Sequence, residues 1–304
     1  MKRTVRNEMK KMTVIIAGTS VVIETDEAIA TLLGPLNELF RGFLTPRRPA
    51  TIRLTVSYNH RETFRKFTAL PLRLASAKER KSLMRQVKVR YPFSDAPLVI
   101  GFLNGILAYN GYSQRGHIYL FRSSGKNFII GSLHKLLFLF MAVVLTEQGK
   151  LMIHGAGLTL GSEGCLFVGT SGSGKTTVAG YAPREGVLSD DAPVVTRNGG
   201  GFTMHASPFS QVDLFDCKAA DHHLKEAPLR RLVFLRQANR LELECRDKRS
   251  ALAELLRAHI HGFDFMDRDL RTRVFQFCGD LCAAVRTFDL HFQKDNRFLS
   301  QFIE

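Results

Sequence analysis

Apolar residues along the first third of the chain are spaced as in strands, except in one segment. Residues 26–43 carry apolar side chains at helical intervals and predict an α-helix. Short apolar runs bounded by turn residues predict β-strands at residues 13–18, 20–25, 51–58 and 98–105. Residues 1–115 are therefore expected to form a small α+β domain. The basic N-terminus is interpreted as leading into a first strand, not as an export signal.

An Asn-Gly pair and a long apolar run mark the passage to a second part of the chain. Asn110 and Gly111 separate two strand-like runs, which predicts a hairpin. The longest apolar run, residues 136–145, is about half of what a bilayer crossing needs, so we expect it in a buried helix over residues 133–148. Residues 116–304 are expected to form a second domain of the α/β class, with no long flexible linker before it.

The stretch FVGTSGSGKTTVAGY in this second domain matches the phosphate-loop pattern of two spaced glycines followed by Lys and Thr. A buried strand is predicted at residues 165–168 and a helix at residues 175–182, as such a loop requires. Its backbone N–H groups surround a polyphosphate, its lysine contacts the terminal phosphates and its threonine hydroxyl can ligate Mg²⁺. The predicted nucleotide-binding residues are Gly169, Thr170, Ser171, Gly172, Ser173, Gly174, Lys175, Thr176 and Thr177.

Two polar elements accompany the loop. Asp190 and Asp191 follow a short predicted strand soon after Lys175, and paired carboxylates near a phosphate loop are suited to hold Mg²⁺ or accept a proton. His154 follows an apolar strand, and a hairpin over residues 151–168 would bring it beside the loop and the aspartates. There it would orient or tune the acid-base pair, and the alternative is a structural histidine.

Composition adds a strong positive charge, +15 for the 304 residues. Residues 41–90 contain 14 Lys or Arg against only Glu62 and Glu79. Such a region can attract an acidic peptide, a nucleic acid or a membrane surface. We favour a solvated face, because aromatic residues are not interleaved with the basic ones as in single-strand binders. Neither a nucleic acid nor a membrane is therefore the expected partner.

The remaining histidines and cysteines do not predict a metal site. Five cysteines are too few and too scattered for a disulfide scaffold, which favours a reduced, cytoplasmic setting. Cys278 and Cys282 lie one helical turn apart and are expected to be buried in a helix. The pairs His222-His223 and His259-x-His261 lack ligand spacing with nearby carboxylates, so we expect both on a solvated surface.

The segments MIHGAGL, GTSGSGKTT and LSDDAPVV follow one another in the order found in HPr kinase/phosphorylase catalytic domains. The chain resembles that family, whose core fold is similar to that of phosphoenolpyruvate carboxykinases. The resemblance is strong over residues 152–195 and weaker through ASPF, APLRRLVFLRQ and VRTFDLHFQKDN. It implies an HPr kinase-like P-loop domain preceded by a smaller α+β domain.

The resemblance also implies roles for individual residues. Asp190 matches the general base that takes the proton of a serine hydroxyl, Asp191 and Thr176 match the Mg²⁺ site, and Lys175 and His154 complete the catalytic set. Thr177 stands where enzymes that act on HPr have Glu, and their IRGLG-type signature is absent. We therefore do not expect HPr as the acceptor. Arg230, Arg231 and Arg236 are candidates for closing over the transferred phosphoryl group.

The expected function is that of an ATP- and Mg²⁺-dependent kinase in the cytoplasm. Its acceptor would be a hydroxyl, above all that of serine, on a peptide, a protein or a free amino acid, and an acidic acceptor would suit the basic chain. The alternative is a P-loop ATPase that is stimulated by nucleic acid through the basic N-terminal region. The acceptor's identity, the nucleotide base, the reverse phosphorolysis and the oligomeric state are left open.

Overall fold

The structure is a computed structural model. It describes residues 10–25, 27–45, 50–59, 98–102, 105–121, 125–209, 226–293 and 295–302. The fold is mixed α/β and divides into two compact units, Met1–Phe140 and Met141–Glu304. This division falls later in the chain than the boundary expected after residue 115. Most of the basic region lies at residues 60–90, outside the described residues, so the interpretation of that region stays a prediction.

The first unit contains a six-stranded mixed sheet. Its strands are β1 (Lys10–Ile16), β2 (Thr19–Thr25), β3 (Ile52–Asn59), β4 (Leu98–Phe102), β5 (Gly105–Asn110) and β6 (Arg115–Phe121). They lie in the order β1-β2-β3-β6-β5-β4, and β3 runs parallel to both β2 and β6. Helix α1 (Glu27–Leu39) forms where the helical spacing of apolar residues predicts a helix, and it connects β2 to β3. A 3-10 turn at Arg41–Phe43 follows it.

The predicted hairpin is confirmed between β5 and β6. The Asn110 side chain accepts hydrogen bonds from the backbone N–H groups of Tyr112 (2.9 Å) and Ser113 (3.1 Å). Asparagine favours turns because its side-chain oxygen can satisfy such N–H groups. The turn therefore forms from local sequence alone.

Helix α2 (Lys126–Glu147) is longer than the helix predicted from its apolar run. Within Asn127–Glu147 an 18-residue window has a mean hydropathy of 2.2. By length and composition alone, this helix is long and apolar enough to cross a membrane. The expectation that the segment is too short is therefore wrong. Its predicted burial is confirmed, since 78% of that window is buried, as in a core helix of a soluble protein.

The second unit contains a nine-stranded sheet and three helices. The strands are β7 (Lys150–Met152), β8 (Gly155–Leu160), β9 (Glu163–Val168), β10 (Val187–Ser189), β11 (Val194–Asn198), β12 (Gly201–His205), β13 (Glu226–Gln237), β14 (Glu242–Cys245) and β15 (Arg286–Phe292). The helices are α3 (Lys175–Tyr181), α4 (Lys248–Ala258) and α5 (Arg268–Ala284). Single 3-10 turns form at Arg184–Gly186, Phe263–Phe265 and Asn296–Gln301.

Strand β13 joins the two halves of this sheet. The main path runs β10-β8-β9-β13-β12-β11-β7. The first residues of β13 pair with β12, whereas its later residues run parallel to β9 on one side and to β15 on the other. The C-terminal ends of β9, β13 and β15 therefore meet at one edge, where ligands bind in open α/β sheets.

A continuous apolar core lies against β8, β9, β13 and β15. Phe167 is fully buried at its centre. Its ring makes edge-to-face contacts with the rings of Phe298 and Phe302, with distances between ring centroids of 6.1 and 5.4 Å. Cys278 and Cys282 are buried on α5, as predicted, and burial raises the pKa of both thiols, that of Cys282 to about 11. These cysteines therefore behave as small apolar residues.

Replacing Phe167 should test this core. Phe167→Ala removes a fully buried ring and is expected to lower the free energy of unfolding by about 3–5 kcal/mol. Phe275→Ala is the matched control, because the Phe275 side chain is exposed and its loss should change stability by at most about 0.5 kcal/mol. Urea unfolding of both variants measures the difference, and similar values for the two would contradict the assigned core.

Candidate active site

Strand pairing brings the three sequence motifs to one edge of the sheet. Strand β8 lies between β9 and β10, with Gly155 opposite Val168 and Gly157 opposite Ser189. The phosphate loop begins just after Val168, the two aspartates just after Ser189, and His154 just before Gly155. All three motifs therefore emerge from the sheet side by side.

The hairpin predicted over residues 151–168 is only partly present. Strands β8 and β9 form it from Gly155 onward, whereas β7 pairs with β11 instead. The chain passes from one half of the sheet to the other at Ile153 and His154. His154 still reaches the aspartates, because it lies at this crossing point.

The loop between β9 and α3 has the backbone that its glycines allow. Gly174 has φ 113°, and a Cβ there would lie 2.8 Å from the Phe292 ring, so a larger residue is excluded for two reasons. The backbone N–H of Ser173 donates to the Thr170 carbonyl at 3.1 Å. The outer residues Thr170, Ser171 and Thr176 are exposed. The loop therefore presents its rim to solvent and its back to the core.

Lys175 is folded against the loop. Its ammonium donates to the carbonyls of Gly169 (2.8 Å) and Thr170 (3.1 Å), and the residue is 6% exposed. Burial lowers the pKa of Lys175, and the nearby charge of Asp191 opposes this shift. The charge of Asp191 therefore acts on the Lys175 ammonium.

Asp191 is the more deeply buried of the two aspartates. Its Oδ1 lies 3.2 Å from His154 Nε2, and its carbonyl accepts a hydrogen bond from the Gly155 N–H at 2.9 Å. Ser189 stabilises the turn, since its Oγ accepts from the N–H groups of Asp191 (3.4 Å) and Ala192 (3.0 Å). Asp190 is half-buried at the same turn. The two carboxylates therefore have different surroundings although they are adjacent in sequence.

Two further histidines join the site. The His259 carbonyl accepts from the His154 N–H at 2.7 Å, and the ring of His261 lies 5.2 Å from that of His154. His261 Nε2 also lies 3.3 Å from the Asp191 carbonyl. His259 is 1% exposed, and burial, followed by the charge of His154, lowers the pKa of its imidazole to about 4.

The expectation of a solvated surface is therefore wrong for His259 and His261. The segment around Ile260 bridges Ile153 in antiparallel fashion, which places both histidines beside the aspartate turn. The alternation of His and Ile in AHIHGF is the one sequence signal that could have indicated an extended, half-buried segment. His222 and His223 lie outside the described residues.

A family model described as SynChlorMet cassette protein ScmC matches residues 121–304, more than half of the chain. The chain belongs to the ScmC family. The matched residues include the phosphate loop, the aspartate pair and all three histidines of the site. Comparison with curated proteins finds no match for this ScmC-family chain.

The three arginines predicted to close over a phosphoryl group have other contacts in this ScmC-family chain. Arg231 pairs with Glu163 (2.9 Å) at the start of β9, roughly 16 Å along the strand from the loop. Arg230 is its exposed neighbour. The structure therefore does not bring Arg230 or Arg231 to the site.

Arg236 lies nearer to the loop but within a network of charges. It binds Glu254 with two nitrogens and Asp289 at 3.0 Å, and Arg246 binds the same two carboxylates at 2.9 and 2.6 Å. The adjacent Gln237 donates its side-chain N–H to the Gly172 carbonyl. Arg236 therefore connects α4 to the strand that contacts the phosphate loop.

The buried imidazole of His259 predicts acid sensitivity. Because its folded pKa of about 4 is below the ordinary value of 6.5, the unfolded chain binds the proton first. The contribution of neutral His259 to the free energy of unfolding is therefore fully present above pH 6.5. It is lost as the pH is lowered toward 4, and about 2 kcal/mol has been lost at pH 5. His259→Asn should remove this share. Urea unfolding at pH 7.5 and pH 5 measures it, and equal pH dependence in wild type and variant would refute the assignment.

Proposed function

We propose that the chain is an ATP- and Mg²⁺-dependent kinase that transfers the γ-phosphoryl group to a hydroxyl, above all that of serine, on an acceptor peptide, protein or amino acid. One observation carries this proposal. One sheet edge carries a phosphate-loop sequence, a pair of aspartates and His154. The charge of Asp191 also raises the pKa of the loop's Lys175, against the larger effect of burial. The order of these motifs favours an HPr kinase-like P-loop domain as the finer description of the fold.

We assign nucleotide binding to the loop from Gly169 to Thr177. Its exposed rim offers backbone N–H groups to the phosphates, and the Lys175 ammonium exchanges loop carbonyls for phosphate oxygens. A positive charge at that position stabilises the negative charge that develops during transfer. Lys175 is therefore assigned to transfer as well as to binding.

Asp190 is assigned as the general base. Its carboxylate takes the proton from the acceptor hydroxyl, whose oxygen then bonds to the γ-phosphorus while the bond to the β-phosphate oxygen breaks and ADP leaves. Asp191 is less suited to this step, because it is buried, at 7% exposure, whereas Asp190 is half-buried and more accessible to an acceptor. His154 then serves to orient Asp191.

The residues present fit a magnesium site. Mg²⁺ prefers oxygen ligands and uses one or two protein carboxylates together with substrate phosphates. Thr176 and Asp191 offer such oxygens, and substrate phosphates would have to complete the site, because no group of three or more His, Cys, Asp or Glu side chains among the described residues could hold a metal ion. When bound, Mg²⁺ would neutralise phosphate charge.

The family description does not name an acceptor, so a peptide, a protein and a free amino acid all stay candidates. The alternative, an ATPase stimulated by nucleic acid, depends on basic residues that lie mostly outside the described ones and stays a prediction.

Lys175→Ala should abolish transfer and leave the fold intact. The lysine contacts only loop carbonyls among the described polar partners, so its loss removes a phosphate contact without opening the core. Phosphoryl transfer at saturating ATP should fall by more than about tenfold, whereas the exposed control Arg240→Ala should keep wild-type rates. Retention of transfer by Lys175→Ala would exclude the loop as the phosphate site.

Substitution of Asp190 should impair phosphoryl transfer, whereas substitution of Asp191 should change the Mg²⁺ requirement. Asp190→Asn should lose about 10²- to 10⁴-fold in transfer yet keep MgATP affinity within a few-fold, because a general base is not needed for nucleotide binding. Asp191→Asn should instead raise the Mg²⁺ concentration needed for half-maximal activity. Nucleotide titrations, turnover and Mg²⁺ titrations of both variants test these roles. Near-normal transfer by Asp190→Asn would overturn its assignment as the base.

A further inference from the structure

The Gln237 side chain reaches the rim of the phosphate loop from the end of β13. Its amide donates to the carbonyl of Gly172, and both residues are exposed. The end of β15 meets the loop through an apolar contact instead, since a Cβ at Gly174 would lie 2.8 Å from the ring of Phe292. Gln237 is therefore the polar side chain through which the end of β13 binds the exposed part of the loop.

The backbone of Gln237 is held on both sides. Before it, the Arg236 guanidinium binds its two carboxylate partners, Glu254 and Asp289. After it, the N–H of Ala238 donates to the carbonyl of a β15 residue at 3.1 Å. The side-chain amide is therefore presented to the loop from a fixed point, which lowers the entropic cost of its hydrogen bond.

This hydrogen bond fixes one peptide plane of the loop. Because a peptide is planar and trans, the Gly172 carbonyl and the Ser173 N–H point in opposite directions. While the carbonyl is bound to Gln237, the Ser173 N–H donates to the Thr170 carbonyl at 3.1 Å and closes the turn of the loop. Gly172 has φ 81° and no side chain that could restrict this peptide. Gln237 therefore supplies from outside a constraint that the glycine lacks.

We propose that Gln237 is a positioning residue of the phosphate loop, and that it raises the affinity for nucleoside di- and triphosphates. It acts through the Gly172 peptide, which it holds in place before a nucleotide binds, so that less conformational entropy is lost on binding. This inference rests on the proposed function, in which the loop binds the phosphates of ATP. Because ADP and ATP use the same loop, both should depend on Gln237.

Nucleotide binding by the full chain tests this role. The probes are the N-methylanthraniloyl derivatives of ATP and ADP, titrated with Mg²⁺ and followed by fluorescence anisotropy. Gln237→Met keeps the length of the side chain but removes the donor, so Kd should rise about 3- to 10-fold for both probes, as expected for one hydrogen bond. Gln237→Glu should weaken both further, because a carboxylate would face the Gly172 carbonyl and the phosphates.

Gln293→Met is the matched control. Gln293 is an exposed glutamine that follows β15 directly, and its amide donates to the Asn239 carbonyl at 3.3 Å, which is not part of the loop. Its Kd values should stay within about twofold of wild type. In slow hydrolysis of MgATP, Gln237→Met should raise KM by the same factor as Kd and keep kcat and Tm, whereas a general loss of structure would lower both.

Equal Kd values for wild type and Gln237→Met would overturn the inference. A loss confined to the ATP probe would also overturn it, because the amide would then bind the γ-phosphate and not the loop. The kinase proposal fails separately. If Gln237→Met weakens both probes but wild type phosphorylates neither free serine nor a library of serine-containing peptides, the role of Gln237 stands and the kinase does not. Absence of nucleotide binding by wild type would overturn both.

Discussion

The pairing of β8 with both β9 and β10 is the constraint on which the candidate site depends. Gly155 and Gly157 make it feasible, because a Cβ at Gly155 would lie 2.6 Å from the Phe167 carbonyl, and one at Gly157 would lie 2.8 Å from Met204 Sδ. Neither position has room for a side chain. The glycines of the HGAGL segment thus let the strand carry His154 between the phosphate loop and the aspartate turn.

A network of four charges supports the same edge from the side of α4. Arg236 and Arg246 share Glu254 and Asp289, so each carboxylate is bound by two guanidinium groups. Removing one member of such a network leaves a partly buried charge without its partner, which costs more than the pair contributes. Gln237 follows Arg236 directly at the end of β13 and donates to the Gly172 carbonyl. The network therefore fixes the strand end that contacts the phosphate loop.

Local sequence was enough to predict the elements whose hydrogen bonds close within a few residues. The Asn110 turn, the strand before Gly169 and the helix from Lys175 were all visible in short stretches of sequence. The positions of His259 and Arg231 were not, because their partners His154 and Glu163 are distant in sequence. Pairing across such distances depends on the order of strands in the sheet, which apolar periodicity does not reveal.

The same limit explains why adjacent aspartates end in different surroundings. In sequence Asp190 and Asp191 differ only by one position at the end of a strand. Asp191 is buried with its Oδ1 3.2 Å from His154 Nε2, whereas Asp190 is half-buried in the turn that follows β10. The Ser189 hydroxyl then holds the turn by accepting from the Asp191 and Ala192 N–H groups. The different burial of these two carboxylates therefore follows from the backbone of the turn and not from any chemical difference between them.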